Sequence, residues 1–333
     1  MSGILQEGCT IDRKTSGILR GVAILIVIAS HYAEWMWVEP AHPQLAHAIS
    51  TWGPEGVAVF FLLSGYGLYK SADKSPKGID ALFVLKRFLA VYLPYLILAF
   101  AINCYSGGWE EADASAVLRF FLAEDYWYIN VLLFMYLAFM MCFRFGRRLR
   151  IPLLLLLLVI QFIGLHKMGY RDFWTLSNPA FALGLLAAAA EKKWDIFRSL
   201  PLKLGILGTG LCGLGLSFVM MQRCGGSGAP GAYKAELCLV FAFSLAVLGL
   251  AYLLPAWRSP VLGLLGEVSL FIYLLHTVFF YAIMSRLENW EYAWANMLTA
   301  LITLLVSALI GKGCLFLTGR LLSAIGKKDE KQR

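Results

Sequence analysis

The stretch LRGVAILIVIASHYAEW, residues 19–35, decides the fold. Between Arg20 and His31 lie ten residues, none charged and all aliphatic except Gly21 and Ser30. With its flanks the run is long enough to cross a bilayer, which takes about 20 mostly apolar residues because the hydrocarbon layer is about 30 Å thick and a helix rises about 1.5 Å per residue. An ionisable side chain is costly at that depth, so His31 is a candidate functional group from the outset.

The pattern repeats along the chain. Comparable blocks lie near 18–38, 52–71, 88–105, 126–143, 151–166, 173–190, 202–221, 235–255, 261–285 and 294–317, the fifth short and the sixth interrupted. The 333 residues are 59% hydrophobic and 15% charged, with a mean hydropathy of +0.69. A soluble domain carries about 25% charged residues. So large an apolar excess needs an apolar solvent, and the fold class is all-α, a polytopic membrane protein of about ten transmembrane helices. The expected division is a cytoplasmic segment 1–17, a transmembrane domain 18–317 and a cytoplasmic tail 318–333, the tail solvated and frayed. The first block follows a polar start, spans by length and lacks a small-residue cleavage site, so it is read as a retained helix rather than a signal peptide. No loop is long enough to fold separately, and no extra domain is expected beyond the tenth helix.

Basic residues collect on cytoplasmic loops. With ten spans and an inner N-terminus, the inner segments hold Arg13, Lys14 and Arg20, then Lys70, Lys74, Lys77, Lys86 and Arg87, then Arg144, Arg147, Arg148 and Arg150. Lys192, Lys193, Arg198, Lys203, Arg258 and the basic tail follow on the same side. The outer side keeps only Arg119, Lys167, Arg171, Arg223, Lys234 and Arg286. Both termini are therefore expected in the cytoplasm. The net charge of +8 lies in short loops between apolar helices, which points to anionic lipid headgroups and not to nucleic acid. The seven cysteines have no paired metal-type spacing, and no metal is expected. A Walker-type glycine loop, a Gly-x-Ser-x-Gly elbow and a His-Glu-x-x-His run are all missing. The run CGGSGAPG, 224–231, reads as a flexible outer loop.

Arg20 and His31 are eleven positions apart, about three turns plus 20°, so they share one face about 16 Å apart along the axis. An arginine fork suits phosphate, and an imidazole suits proton abstraction. A long donor with phosphates at one end and a reactive group at the other, such as a coenzyme A thioester, fits along that stripe. The plainer alternatives are an anchoring arginine and a histidine hydrogen-bonded between helices. Glu34, one turn past His31, either orients the imidazole or is an interfacial charge.

At these residues the sequence resembles the membrane-bound acyltransferase-3 family, whose hallmark is Arg, ten residues, then His, here Arg20 and His31. GVAVFFLLSGYGL (56–68) is similar to that family's second helix, FVLKRFLAVYLPY (83–95) to its third, YWYINVLLFMYL (126–137) to its fourth, and GEVSLFIYLLH (266–276) to a late helix ending in Tyr and His. The motifs occur in order from about residue 15 to 317. Two departures stand out: Ala90 occupies the place of a second arginine in the third helix, and Ala58 and Val59 stand where an acid often precedes the double Phe, with Glu55 a turn earlier.

The resemblance implies O-acyl transfer, usually of acetyl, from cytoplasmic acyl-CoA to a hydroxyl of a carbohydrate or lipid-linked surface glycan, in the cell (plasma) membrane. Acyl-CoA is then a donor substrate, with no tightly bound cofactor. His31 is the implied base or proton relay. Arg20, Lys86 and Arg87 are the implied phosphate contacts. Ser64, Trp127, Tyr273 and His276 are further candidates for substrate binding; helix packing, an aromatic belt and an interhelical polar contact are their structural alternatives. Glu267 reads as structural. A small secondary transporter with an intramembrane His/Arg site also accounts for buried charge, although the two halves of this chain are dissimilar. A non-catalytic membrane sensor is the third possibility.

Overall fold

The computed structural model describes residues 11–35, 43–74, 81–109, 112–145, 149–194, 199–254, 258–284 and 293–331. Of the residues named above, Lys77, Arg147, Arg148, Arg198 and Arg286 lie outside them. The helices are α1 (Arg13–Trp35), α2 (Pro43–Ser50), α3 (Gly53–Asp73), α4 (Ala81–Ser106), α5 (Ala114–Leu122), α6 (Trp127–Phe145), α7 (Arg150–Lys167), α8 (Phe173–Leu176), α9 (Pro179–Lys193), α10 (Leu200–Arg223), α11 (Tyr233–Leu253), α12 (Pro260–Met284) and α13 (Ala293–Lys331). Among the described residues there is no strand, and nine helical stretches are long and apolar enough to cross a membrane.

The tenth expected span, 52–71, is α3. It has 21 residues, enough to cross, but it carries Glu55, Lys70 and Asp73 with four glycines, which lowers its apolarity. Its position explains why that is tolerated. α3 packs against α1, α9 and α11 and faces protein on most sides, so lipid does not dictate its surface. α4, α7, α10 and α13 instead turn large side chains such as Phe100, Leu156, Leu216 and Leu309 outward, as a lipid-facing ring does.

Three departures from the sequence expectation have local causes. The fourth block is preceded by α5, capped where Asp113 accepts from the Ala116 N–H at 2.7 Å and ended by Ala123 in the left-handed region (φ 56°). Tyr92 donates to the Phe121 carbonyl at 2.6 Å, and Tyr95 donates to that of Phe120, so the carbonyls at the end of α5 are satisfied from α4. The interruption in the sixth block is the break between α8 and α9, with proline at the start of α9 and Ser177 donating to the Pro54 carbonyl at 2.7 Å. At the C-terminus, α13 continues as helix to Lys331 where a frayed tail was expected.

Two contacts organise the centre. The Glu191 side chain on α9 is buried and accepts from Tyr66 at 2.9 Å, from Tyr252 at 2.6 Å and from Lys70 at 2.6 Å, joining α3, α9 and α11. α1 and α12 lie against each other through glycine. A Cβ on Gly266 would sit 1.8 Å from the Gly17 carbonyl oxygen, and one on Gly21 would sit 2.1 Å from that of Leu262. Small residues let helix backbones approach this closely inside a membrane.

This packing makes a sharp comparison available. Gly266→Ala should force α1 and α12 apart and destabilise the detergent-solubilised protein by about 1–3 kcal/mol, the usual cost of overpacking. Gly263→Ala, one turn earlier on α12 with nothing within 4 Å of its Cβ, should be neutral or slightly stabilising. Thermal unfolding followed by circular dichroism decides; equal melting temperatures for the two variants would show that the contact is not tight.

Candidate active site

The α1–α12 contact fixes where half-buried His31 and buried His276 meet. Gly266 and Gly21 are 245 positions apart, and so are His276 and His31. The two helices run parallel and keep that register for ten residues, about 15 Å. At the far end of this stretch His276 Nε2 lies 2.8 Å from His31 Nδ1, with the rings 4.9 Å apart and inclined by 16°.

The hydrogen bonds order the protons. His276 Nδ1 lies 2.7 Å from the Tyr273 carbonyl oxygen and 3.2 Å from that of Ile272. A carbonyl only accepts, so this nitrogen carries the hydrogen. In a neutral imidazole the other nitrogen is then an acceptor, so His276 Nε2 accepts and His31 Nδ1 donates. The lone pair of His31 therefore sits on Nε2. His276 is 1% exposed and its ring meets the edge of Phe280 at 5.6 Å, so its orientation is set by packing as well.

Arg20 marks the other end of the stripe. It is half-buried, and its guanidinium donates to the Ser16 carbonyl at 3.3 Å and to the Ser16 hydroxyl at 3.4 Å. A cavity of about 320 Å³ starts beside it. Arg20, Arg87 and Glu267 line its polar end, Ser64 and Tyr136 its middle, and Tyr128 and Tyr273 its deep end. The Ser64 side chain is hydrogen-bonded to Tyr136. The rings of Tyr128 and Tyr273 are 5.2 Å apart, and the Tyr273 ring is 5.9 Å from that of His276. Val27, one turn before His31, also lines the cavity, so the histidine pair stands just past its deep end.

Arg20 and Glu267 also border a second, open cavity of about 650 Å³, lined by Arg13, Lys14, Arg258 and Ser259. Glu267 is paired with Lys312 of α13 at 2.5 Å. Several cations thus surround the end of the stripe where Arg20 lies.

Of the site residues anticipated from sequence, Arg20, Arg87, Ser64 and Tyr273 line the one cavity, and His31 and His276 meet beyond it. Arg87 also donates to the Ser71 hydroxyl at 2.9 Å. Lys86 is exposed and is not among the lining residues. Glu34 is exposed, and the group at His31 Nδ1 is His276. Trp127 packs against Phe173 and Trp174 with ring centroids 5.3 and 6.3 Å away, in an aromatic cluster beside the cavity rather than in its wall. Ala90 does line the cavity, so the absent second arginine of the third helix leaves room there.

Tyr128, beside Trp127, reads from sequence as an aromatic belt or a sugar-stacking residue, and the structure puts it in the cavity wall. Sequence reasoning passed over Tyr136, Glu267 and Arg258 as parts of a site; the first two sit inside motifs already quoted, but only the fold turns them toward one cavity. Arg258 carried a signal only as an inner-side cation.

Residues 16–312 match the acyltransferase-3 family, described as an acyltransferase domain. No curated protein and no solved structure matches the chain. The match takes in Arg20, all of the cavity lining but Leu315, and both histidines, and it covers nearly the whole chain. The chain therefore belongs to the acyltransferase-3 family and is a membrane acyltransferase.

Proposed function

We propose that this acyltransferase moves an acyl group, acetyl in the first instance, from cytoplasmic acyl-CoA to a hydroxyl of a carbohydrate or lipid-linked surface glycan in the plasma membrane, with both termini in the cytoplasm. One observation carries the reading. A single helix, α1, places an arginine at the polar mouth of a cavity and a histidine just past its deep end, with the cavity filling the distance between them. That span suits a donor with phosphates at one end and a thioester at the other.

In this reading Arg20 and Arg87 grip the donor phosphates, and Lys86, Arg13, Lys14 and Arg258 draw the polyanion to the mouth. The acyl arm lies past Ser64, Ala90 and Tyr136 toward Tyr273. The acceptor hydroxyl meets His31 Nε2, which takes its proton while the oxygen attacks the thioester carbonyl carbon. The carbon–oxygen bond forms, the carbonyl π pair moves to oxygen, and the tetrahedral intermediate then collapses with loss of the thiolate of coenzyme A. His31 returns the proton to that sulfur. His276 accepts from His31 Nδ1–H throughout and steadies the imidazolium. The transporter alternative has no counterpart to this, because membership of an acyltransferase family requires a bond to be made.

Three outcomes test the reading, measured as label transferred from labelled acetyl-CoA to surface glycan in membranes. His31→Ala should lose on the order of 10²- to 10⁴-fold in rate, the usual share of a general base. Label that is undiminished in that variant would remove His31 from the reaction. Arg20→Ala should raise the KM for acetyl-CoA about ten- to a hundredfold and leave the acceptor KM unchanged, as loss of a charge-assisted contact to phosphate does. His276 is a positioning residue, and His276→Gln keeps an acceptor for His31 Nδ1–H whereas His276→Ala does not. The glutamine variant should retain clearly more kcat than the alanine variant at unchanged donor KM; equal losses would mean that a proton must pass through His276.

A further inference from the structure

A third cavity, of about 620 Å³, lies on the far side of α3, between α2, α3, α10 and α11. It shares no lining residue with the cavity that runs from Arg20 to Tyr273. It opens at the histidine end of the bundle. Ser30, next to His31, donates to the Ser50 carbonyl at 2.6 Å and borders Gly53, and the cavity wall continues from there through Thr51, Trp52 and Glu55. The turn between α10 and α11 closes the other side with Gly225, Gly226 and Ser227.

Two carboxylates face this space. Glu236 is 9% exposed and already ordered, with Oε1 accepting from the Ser227 hydroxyl at 2.6 Å and from the Gly228 N–H at 2.7 Å. Glu55 is 2% exposed, and its Oε2 is buried with no hydrogen-bond partner among the described residues. A buried carboxylate oxygen without a donor costs free energy that a bound donor recovers. Something with O–H or N–H groups, or a cation, belongs against it.

The rest of the wall selects between these. Trp52 is 44% exposed and borders the cavity, giving an aromatic face. Gln44, Gln222 and Thr51 supply groups that both donate and accept. Among the described residues no three His, Cys, Asp or Glu side chains are placed to hold a metal ion. Aromatic face, carboxylates and amides together are the chemistry that takes a sugar: the ring's C–H face stacks, and its hydroxyls donate to carboxylate and exchange hydrogen bonds with amide and hydroxyl. The volume is of the size that holds a small ligand.

We propose that this cavity is a second carbohydrate site, which holds a distant residue of a polymeric acceptor while another residue's hydroxyl meets His31. The proposal rests on the carbohydrate acceptor reading above. It makes the enzyme a binder of chains rather than of single sugars, with the bulk of the acceptor's affinity away from the reacting hydroxyl.

The test uses the full-length protein in lipid nanodiscs on an array of neutral di- to hexasaccharides, with two readouts, sugar bound and label transferred from acetyl-CoA. Glu55→Gln and Trp52→Ala should each weaken binding of the longer sugars about tenfold. His31→Ala should lower transfer on the order of 10²- to 10⁴-fold and leave sugar binding in the cavity unchanged. Gln222→Ala, an exposed position, serves where Glu55→Gln does not elute as folded protein. Binding that is unchanged in these cavity variants, or absent from the wild type on the whole array, overturns the second site. Loss of stabilisation by sodium or calcium ions in Glu55→Gln, without loss of sugar binding, makes the cavity a cation site and also overturns it. Transfer that needs His31 with binding indifferent to Glu55 defeats the second site alone. Binding that needs Glu55 with no transfer to any sugar defeats the acceptor reading and leaves the site standing.

Discussion

The contact between α1 and α12 is the constraint on which the site depends. Two backbones meet where a glycine of one helix faces a carbonyl of the other, with the Gly17 carbonyl against Gly266 and the Leu262 carbonyl against Gly21. Inside a bilayer there is little hydrophobic drive between helices, because lipid tails are as apolar as the side chains they replace. Close van der Waals contact supplies the attraction instead. Since both helices rise equally per residue, a contact made at the glycines sets the register ten residues later, where the histidines meet. The imidazole pair thus depends on the four residues at the other end of the stripe, about ten residues away.

That pairing also answers how two ionisable side chains are accommodated so deep in the bundle. An isolated polar group costs free energy in an apolar surrounding unless it is hydrogen-bonded. Each histidine supplies what the other lacks. The helix itself terminates the chain, because the Tyr273 and Ile272 carbonyls accept from His276 Nδ1 although they belong to the turn that already carries the ring. The result is an ordered row of carbonyl, His276 and His31, with its polarity fixed at the carbonyl end. A carboxylate in place of His276 would hold His31 in the same tautomer but would bring a full negative charge into the bundle. A neutral imidazole gives the orientation without that charge.

Much of the fold is legible in the sequence because lipid imposes a length and a polarity on each crossing. The ten blocks match helices for that reason, and the broken sixth block is visible in Ser177, Asn178 and Pro179. α3 is the instructive exception. It looks the least apolar of the ten, and it is the helix most enclosed by others, so composition alone understates its place. The site is legible only in pieces. The Arg20–His31 spacing and the Tyr273–His276 spacing each define a face, and helical periodicity reaches no further than one helix. The meeting of residues 245 positions apart is a matter of tertiary packing, and its trace in sequence is the repeated spacing of ten between a glycine and a histidine, Gly21 to His31 and Gly266 to His276. Glu34 drew attention by proximity in sequence, yet a side chain one turn on at the rim of a helix is free to turn toward water, whereas His276 is held in place by α12.

The charge around the mouth completes the physical picture. Arg13, Lys14, Arg20, Arg87 and Arg258 border two adjoining cavities in which Glu267 is the carboxylate, and Glu267 is engaged by Lys312. Both members of that pair are about half exposed, so its worth to stability is small, roughly 0–1 kcal/mol. Its consequence is local. With the carboxylate turned to Lys312, the field at Arg20 stays positive, and a polyanion approaching from the headgroup layer meets cations first. Beyond Arg20 and Arg87 the lining is largely tyrosine, valine, leucine and phenylalanine with Ser64 and Ser269, and it holds no further cation to pair with phosphate. In the proposed reading the cavity would admit one end of an amphipathic donor and stop the other, which would hold the reacting carbon at the depth of the histidines without any side chain having to touch it before the acceptor arrives.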